Sequence, residues 1–148
     1  MKLLLNAMTT QIQTQLAYLS WVGVLDSEFL PPEEPQTPFV GLRDGGLVAE
    51  STPNKMDFED LTVVVIAYQS VLASAPGASV LGEASLGDAG IGLLDLSAAL
   101  KTALNDNFLS LNFFLAHRFR VDRSETLESD AGRFLQFQRN YFRYRRYV

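Results

Sequence analysis

The sequence predicts an α+β fold in which an antiparallel or mixed sheet of about four to five strands carries two helices on one face. Residues 3–20 and 93–106 place apolar side chains at helical spacing. Residues 63–66 form a run of β-branched residues, and the last third of the chain alternates between apolar and polar residues as strands do. Strands that are segregated from two helices are typical of the α+β class, and we expect residues 1–148 to form a single domain.

The first helix is predicted over about residues 3–20. Its opposite face is polar but uncharged, which is typical of an amphipathic helix. A connector over residues 20–38 follows, with four of the six prolines, and it cannot continue the helix. The apolar stripe of the helix recurs every three or four residues: Leu4, Met8, Ile12, Leu16 and Leu19.

Two strand signals follow the connector. The stretch "FVGLRDGGLVAES" has the pattern of a hairpin, with a tight turn at Asp44, Gly45 and Gly46, where glycine supplies a positive φ. The continuous β-branched residues 63–66 predict a strand that is buried on both faces, near the centre of the sheet. Three acids directly before this run, Asp57, Glu59 and Asp60, are expected to keep the strand end solvated.

Residues 71–92 are rich in Gly, Ala and Ser, and they predict either a small-residue loop or a poorly specified helical turn; both alternatives stay open. The second helix follows, with Leu93, Leu96, Leu100 and Leu104 on one stripe, and we expect it to pack across the sheet.

Two strands are predicted near the C-terminus. In the first, apolar and polar side chains alternate from His117 onward. The second, over residues 133–148, belongs to the stretch "GRFLQFQRNYFRYRRYV", which holds five arginines, three tyrosines, three phenylalanines and no acid. Aromatic rings are expected to bury this strand while its arginines reach outward to something polar or acidic.

Charge is unevenly distributed along the chain. Residues 1–100 hold three basic and twelve acidic side chains, a net charge of −9, whereas residues 101–148 hold nine and five, a net charge of +4. This asymmetry predicts that acidic and basic surfaces pair, either within one chain or between copies. Head-to-tail contacts between copies close into rings or extend into filaments.

The residue inventory indicates no catalytic site, no cofactor and no metal site. There is no cysteine, and His117 is the only histidine, so neither a thiolate cluster nor a histidine cluster can form. No G-x-S-x-G nucleophile motif is present. No stretch reaches the roughly 18 apolar residues of a membrane span, and the apolar start of the chain stops at Asn6, which predicts a cytoplasmic protein without a signal peptide.

The arginine-rich C-terminus allows three interpretations. Interleaved arginines and aromatic residues are what single-strand nucleic-acid binders use, but an isoelectric point of about 4.8 disfavours a polyanion partner. Arginine and tyrosine are also enriched at protein interfaces. We therefore rank a protein interface first, an edge strand within one chain second and nucleic acid third. The predicted interface residues are Arg139, Tyr141, Arg143, Tyr144, Arg145 and Arg146.

The order of these elements resembles one family. An N-terminal helix, the stretch "PFVGLRDGG", a valine-rich strand, the helix "LLDLSAALKTAL" and an Arg/Tyr-rich last strand occur together, as in the tail terminator (tail-completion) proteins of long-tailed bacteriophages and, more loosely, the minor neck proteins beside them. The resemblance implies a non-enzymatic virion protein whose homo-hexameric ring caps the finished tail tube.

The same resemblance implies a set of partners. They are further copies of the chain, the tail tube protein, a head-side neck or connector protein such as the stopper or head–tail adaptor, and DNA that passes through the hole without specific binding. The protein would then reside in the virion tail or neck, and in the host cytoplasm during assembly. An acidic lining would keep the sliding duplex from sticking. Candidates for that lining are either Asp26, Glu28, Glu33 and Glu34, or Glu83, Asp88 and Asp95.

Overall fold

The computed structural model describes residues 1–26, 35–51, 53, 57–71, 77–105, 109, 111, 120–124, 128–130 and 135–147, with the backbone alone for 120–124, 128–130 and 147. The elements in chain order are α1 (Lys2–Gln15), β1 (Val22–Val24), β2 (Phe39–Ser51), β3 (Asp57–Ser70), α2 (Ala78–Leu81), a 3₁₀ segment (Ala84–Gly90), α3 (Leu93–Leu104), β4 (Arg120–Ser124), β5 (Glu128–Asp130) and β6 (Leu135–Tyr147). The predicted α+β class is confirmed. None of the described helices is long and apolar enough to cross a membrane.

The strands form one mixed sheet in the order β1-β2-β3-β6-β4, and β5 also pairs with β6. β1 runs parallel to β2, and the other pairs are antiparallel. Within the described residues the sheet has six strands rather than four or five. β1 and β5 account for the difference, because strands of three residues are too short to show an alternating pattern.

The main core lies between one face of the sheet and the helices α1 and α3. Full burial of each large aliphatic side chain stabilises the fold by about 1.5–3 kcal/mol, so this layer supplies much of the folding energy. Both helices lie on this one face, as predicted, and we call it the helix face. Its buried residues include Leu4, Met8, Ile12, Leu96, Leu100, Val40, Leu42, Leu61, Val63, Val65, Phe142 and Tyr144.

A second, aromatic cluster lies on the opposite face of the sheet. Phe39 and Tyr68 are direct cross-strand partners whose rings stack at 4.6 Å, and Phe137 continues the row at 5.7 Å from Tyr68. Val64 and Ile66 are buried in this cluster, whereas Val63 and Val65 lie in the main core. The prediction that this strand is buried on both faces is confirmed.

The first helix is shorter than its apolar stripe predicts. The backbone leaves the helix at Leu16, which has φ −119° and ψ 59°, and the side chain of Gln13 donates a hydrogen bond at 3.2 Å to the carbonyl oxygen of Val22 as the chain turns back toward the sheet. Leu16 and Leu19 still pack against the main core. The spacing of Leu16 and Leu19 therefore reflects their burial in the core and does not indicate helical structure.

The predicted hairpin at residues 39–51 is wrong, because this segment is one continuous strand. Asp44 pairs with Val63 and Leu47 pairs with Leu61, so Gly45 and Gly46 both stand opposite the single residue Thr62. This is a β-bulge. Gly46 has a φ of +103°, and a Cβ on Gly45 would lie 2.9 Å from the carbonyl oxygen of Thr62, so both positions require glycine.

Three further segments differ in detail from the sequence expectations. Within the predicted small-residue segment 71–92, residues 77–92 hold α2 and the 3₁₀ segment, so helical turns replace the alternative of a loop there. Residues 72–76 of that segment lie outside the described residues. The connector 20–38 contains β1, and residues 27–34 of it lie outside the described residues. His117 also lies outside them, and the described part of its predicted strand begins at Arg120.

A buried polar network joins α3 to β6. The hydroxyl of Ser97 donates to Oε1 of Gln138 at 2.6 Å, and Nδ2 of Asn140 donates to the same hydroxyl at 3.2 Å. Ser97 and Asn140 are 2% and 0% exposed. Because buried polar groups are costly without partners, this network fixes the position of α3 along β6.

Candidate protein–protein interface

β6 presents its two sets of alternate side chains to different faces of the sheet. Its odd-numbered residues pair with Val64 and Ile66, which lie in the aromatic cluster, so they point away from the helices. Its even-numbered residues pair with Val63 and Leu61, which lie in the main core, so they point toward α1 and α3. The predicted interface residues are therefore divided between two surfaces.

Arginines are concentrated on the face that points away from the helices. Arg43 of β2 shares this face, because it pairs with Val64, whose other neighbour is Tyr141. Arg143 is exposed, whereas the other arginines of this face, Arg43, Arg139 and Arg145, are half-buried, as is Tyr141. The guanidinium of Arg139 lies 5.0 Å from the ring centre of Phe137. We call this surface the arginine face, and its members are Arg43, Arg139, Tyr141, Arg143 and Arg145. Sequence reasoning missed Arg43, because only the strand register places it here.

Asp60 and Arg145 form a bidentate ion pair on the arginine face. They are direct cross-strand partners on β3 and β6. Nε and Nη2 of Arg145 donate to the two carboxylate oxygens of Asp60 at 2.6 and 2.7 Å. The guanidinium also lies 4.0 Å from the ring centre of Phe58, within range of a cation–π contact. The charge of Arg145 is thus compensated within its own chain.

A second ion pair lies on the helix face. Arg146 pairs with Glu59 in the register, and its Nε donates to Oε2 of Glu59 at 2.6 Å. Glu59 and Asp60 were expected to solvate the strand end, and this is corrected: both bind arginines, and of the three acids Asp57 alone is exposed. Part of the acidic–basic asymmetry of the sequence is therefore satisfied within one chain.

Tyr144 does not belong to any surface of the chain. It lies on the helix face in the main core and is 0% exposed. Burial raises the pKa of its hydroxyl to about 12, because the charged phenolate would be poorly solvated there. The expectation that Tyr144 contacts a partner is corrected accordingly.

The acids that were predicted to line the central hole of a ring lie in two separate parts of the chain. Asp26 is exposed just after β1, and Glu28, Glu33 and Glu34 lie outside the described residues. The other three follow one another along residues 83–95. Glu83 accepts hydrogen bonds from the backbone and hydroxyl of Ser85 at 3.3 and 2.9 Å, and so caps the 3₁₀ segment.

Asp88 and Asp95 are exposed, and they lie in the 3₁₀ segment and in the first turn of α3. Burial and, to a smaller extent, the negative charge of Asp88 raise the pKa of Tyr18, because both disfavour the phenolate. Among the residues with described side chains, no group of three or more His, Asp or Glu residues is arranged to hold a metal ion.

The outer segment of β2, residues 47–51, is an exposed surface that sequence reasoning missed. Leu47 and Val48 are 46% and 60% exposed, and they point to opposite faces of the sheet, because they pair with Leu61 and Asp60. β1 pairs with β2 only between Val40 and Leu42, so no described strand covers the outer edge of this segment. An exposed apolar strand edge of this kind is a candidate site for association with another chain.

Comparison with solved structures finds chains of similar fold, one of them in a virion. A chain from the "Virion of native gene transfer agent (GTA) particle" superposes with a TM-score of 0.50 and 16% sequence identity, over 95% of this chain and 84% of that chain. At this identity the likeness shows the shared fold alone. No protein-family model matches the chain, and no curated protein sequence matches it.

Proposed function

We propose that this protein is a non-enzymatic structural subunit of a phage-like virion, and that it acts as a tail terminator. The observation that carries the proposal is the fold shared over 95% of the chain with a chain of the gene transfer agent virion. The order of sequence elements, which resembles that of tail terminators over most of the chain, also supports it. We take these residues as one domain.

In this proposal six copies form a ring on the finished tail tube. One side of the ring contacts the tube protein, and the other contacts the head-side neck or connector protein. The protein resides in the virion tail or neck after assembly in the host cytoplasm. The arginine face and the outer segment of β2 are two surfaces of different character, which supports a ring. Contacts between unlike patches of identical subunits run head to tail, and such contacts can close into a ring.

DNA would pass through the ring without specific binding. The exposed carboxylates of Asp88 and Asp95 support this, since like charge keeps a sliding duplex from sticking. The pairing of Arg145 with Asp60, and of Arg146 with Glu59, weighs against the alternative of a nucleic-acid-binding arm, because these two cations already have anionic partners.

Negative-stain electron microscopy of the purified protein, alone, with tail tubes and with heads that carry their neck, tests the proposal. A terminator appears as six-fold rings with a central hole and as a cap at the tube end. Particles that attach only to the head-side neck would instead indicate a stopper or head–tail adaptor. Nucleic acid that co-purifies at low salt and dissociates steeply as salt rises would favour the binding-arm alternative.

A further inference from the structure

We propose that neighbouring copies join edge to edge, so that the outer segment of β2 in one copy pairs with β4 of the next and the sheet continues from copy to copy. This inference rests on the proposed ring and specifies which two segments meet in it. A ring of identical subunits needs a head-to-tail contact between two different parts of the chain, and these two strands supply it.

The two segments lie at opposite edges of the sheet. β1 pairs with β2 only between Val40 and Leu42, so among the described strands the outer segment of β2 has a neighbour, β3, on one side only. β4 is the last strand at the other end of the order, and the one described strand that it pairs with is β6. Alternate backbone amides and carbonyls of an edge strand point outward, and a strand from another chain can bind them.

The strand directions favour antiparallel pairing between copies. β2 and β3, β3 and β6, and β6 and β4 are each antiparallel, so β2 and β4 of one chain run in opposite directions. Rotation about an axis along the strands leaves these directions unchanged, and β2 therefore meets β4 of the next copy antiparallel. The two segments also match in length, because residues 47–51 and Arg120–Ser124 are five residues each.

The outer segment of β2 has exposed side chains on both faces of the sheet. Val48 pairs with Asp60 and so lies on the arginine face, as does Glu50 two residues further on. Leu47 and Ala49 lie on the helix face. All four are exposed. A strand that pairs along the edge contacts the side chains of both rows, whereas a surface packed on one face would contact only one row.

The register of β4 matches this arrangement face by face. Arg120 and Arg123 pair with two members of the arginine face, so they occupy register positions on that face. Val121 occupies a position on the helix face, since its partner on β6 lies in the main core. In the continued sheet, Glu50 of one copy therefore shares a face with two arginine positions of the next, and Leu47 shares a face with Val121.

The charges of the two segments select β4 as the occupant. The outer segment of β2 holds one acid and no base, a net charge of −1, whereas β4 holds two arginines and one acid, a net charge of +1. Pairing of β2 with β2 of a second copy would instead bring two acidic segments together. Backbone hydrogen bonds carry the contact, and opposite charge sets which strand takes part in it.

Disulfide cross-linking tests the contact, because the chain has no cysteine of its own. Four variants combine Val48→Cys or Glu50→Cys with Arg120→Cys or Arg123→Cys, all at positions on the arginine face. Opposed residues of an antiparallel pair have Cα atoms about 4.5–5.5 Å apart, which suits a disulfide. Within one chain two strands separate β2 from β4, a distance of about 14 Å, so the disulfide forms only between copies.

We expect at least one of these four variants, after mild oxidation, to give a ladder of up to six linked chains on a denaturing gel, and reduction should return it to monomer. Val48→Cys with Val121→Cys is the matched control, because its two positions lie on opposite faces, and it should give no ladder. Circular dichroism verifies that each variant is folded.

The other outcomes separate this contact from the ring itself. If the unmodified protein has the mass of six copies and none of the four folded variants gives a ladder, the ring stands and this contact is wrong. An equal ladder from the opposite-face control would also contradict it, as would efficient dimers from Val48→Cys alone, which indicate pairing of β2 with β2. If the unmodified protein stays a monomer of 16.4 kDa at every concentration, the ring fails and the contact fails with it.

Discussion

Asp60 and Arg145 face each other directly across β3 and β6, and the guanidinium of Arg145 binds both carboxylate oxygens of Asp60. The two residues are 85 positions apart in the chain, so their pairing links the acidic and basic parts of the sequence. The side chain of Asp60 is 11% exposed and that of Arg145 is 29% exposed. The pair is thus partly shielded from water, which strengthens it relative to a surface ion pair.

Asp60→Asn should lower the free energy of unfolding by about 1–3 kcal/mol, between the values for exposed and buried pairs. Arg145 would lose its charged partner while remaining half-buried over Phe58. Urea denaturation measures this loss. Glu59→Gln is the matched control on the other face; its ion pair is more exposed at the acid, and its loss should be smaller. Equal effects for the two variants would contradict a special role for the Asp60 pair.

Gly46→Ala should destabilise the protein by about 1–3 kcal/mol, because a φ of +103° strains any residue that has a Cβ. The space around Gly46 is open, so backbone strain and not a steric clash is the cause. Ser51→Ala, at the exposed end of the same strand, should have little effect in the same urea titration. A neutral Gly46→Ala would mean that the bulge is absent.

Tyr144 should make stability depend on pH in the alkaline range. Its pKa is raised from 10.0 to about 12 in the folded chain, so the neutral hydroxyl is favoured by folding. The stability that it contributes is fully present below pH 10 and is lost as the pH rises through about 12. Tyr144→Phe should reduce this loss, as measured by unfolding at several alkaline pH values. An unchanged pH dependence in the variant would assign the loss to other groups.

Ser97→Ala should cost about 1–3 kcal/mol of stability, because the buried amides of Gln138 and Asn140 would both lose a hydrogen-bonding partner. Thr102→Ala is the matched control, since Thr102 is exposed on the same helix and its hydroxyl bonds only the preceding turn, at the carbonyl of Ala98. Thermal unfolding should shift clearly for the first variant and little for the second. Similar shifts would show that the network adds nothing beyond helix propensity.

Much of the fold could be predicted because periodicity is a local signal. The apolar stripes of α1 and α3 reflect burial of one side of each helix. The β-branched run of β3 reflects burial of both faces of that strand. Each pattern is visible within a dozen residues. The end of α1 could not be predicted, because Leu16 and Leu19 are buried whether or not the chain there is helical. Asp44, Gly45 and Gly46 suit a turn and a bulge equally, and only pairing with β3 decides between them.

The candidate interface could be predicted only in part, for a related reason. Alternation within β6 groups Arg139, Tyr141 and Arg143 from sequence alone. The partners of Arg145 and Arg146 depend on register between distant strands, as does the inclusion of Arg43. Reversing several C-terminal arginines together would therefore also break ion pairs within the chain.

The native mass of the purified protein, measured by light scattering after size exclusion over a range of concentrations, tests the proposed ring most directly. Six copies of a 16.4 kDa chain come to about 98 kDa, and we expect a species of that mass that persists on dilution. A single species of 16.4 kDa at every concentration would contradict a self-closing ring.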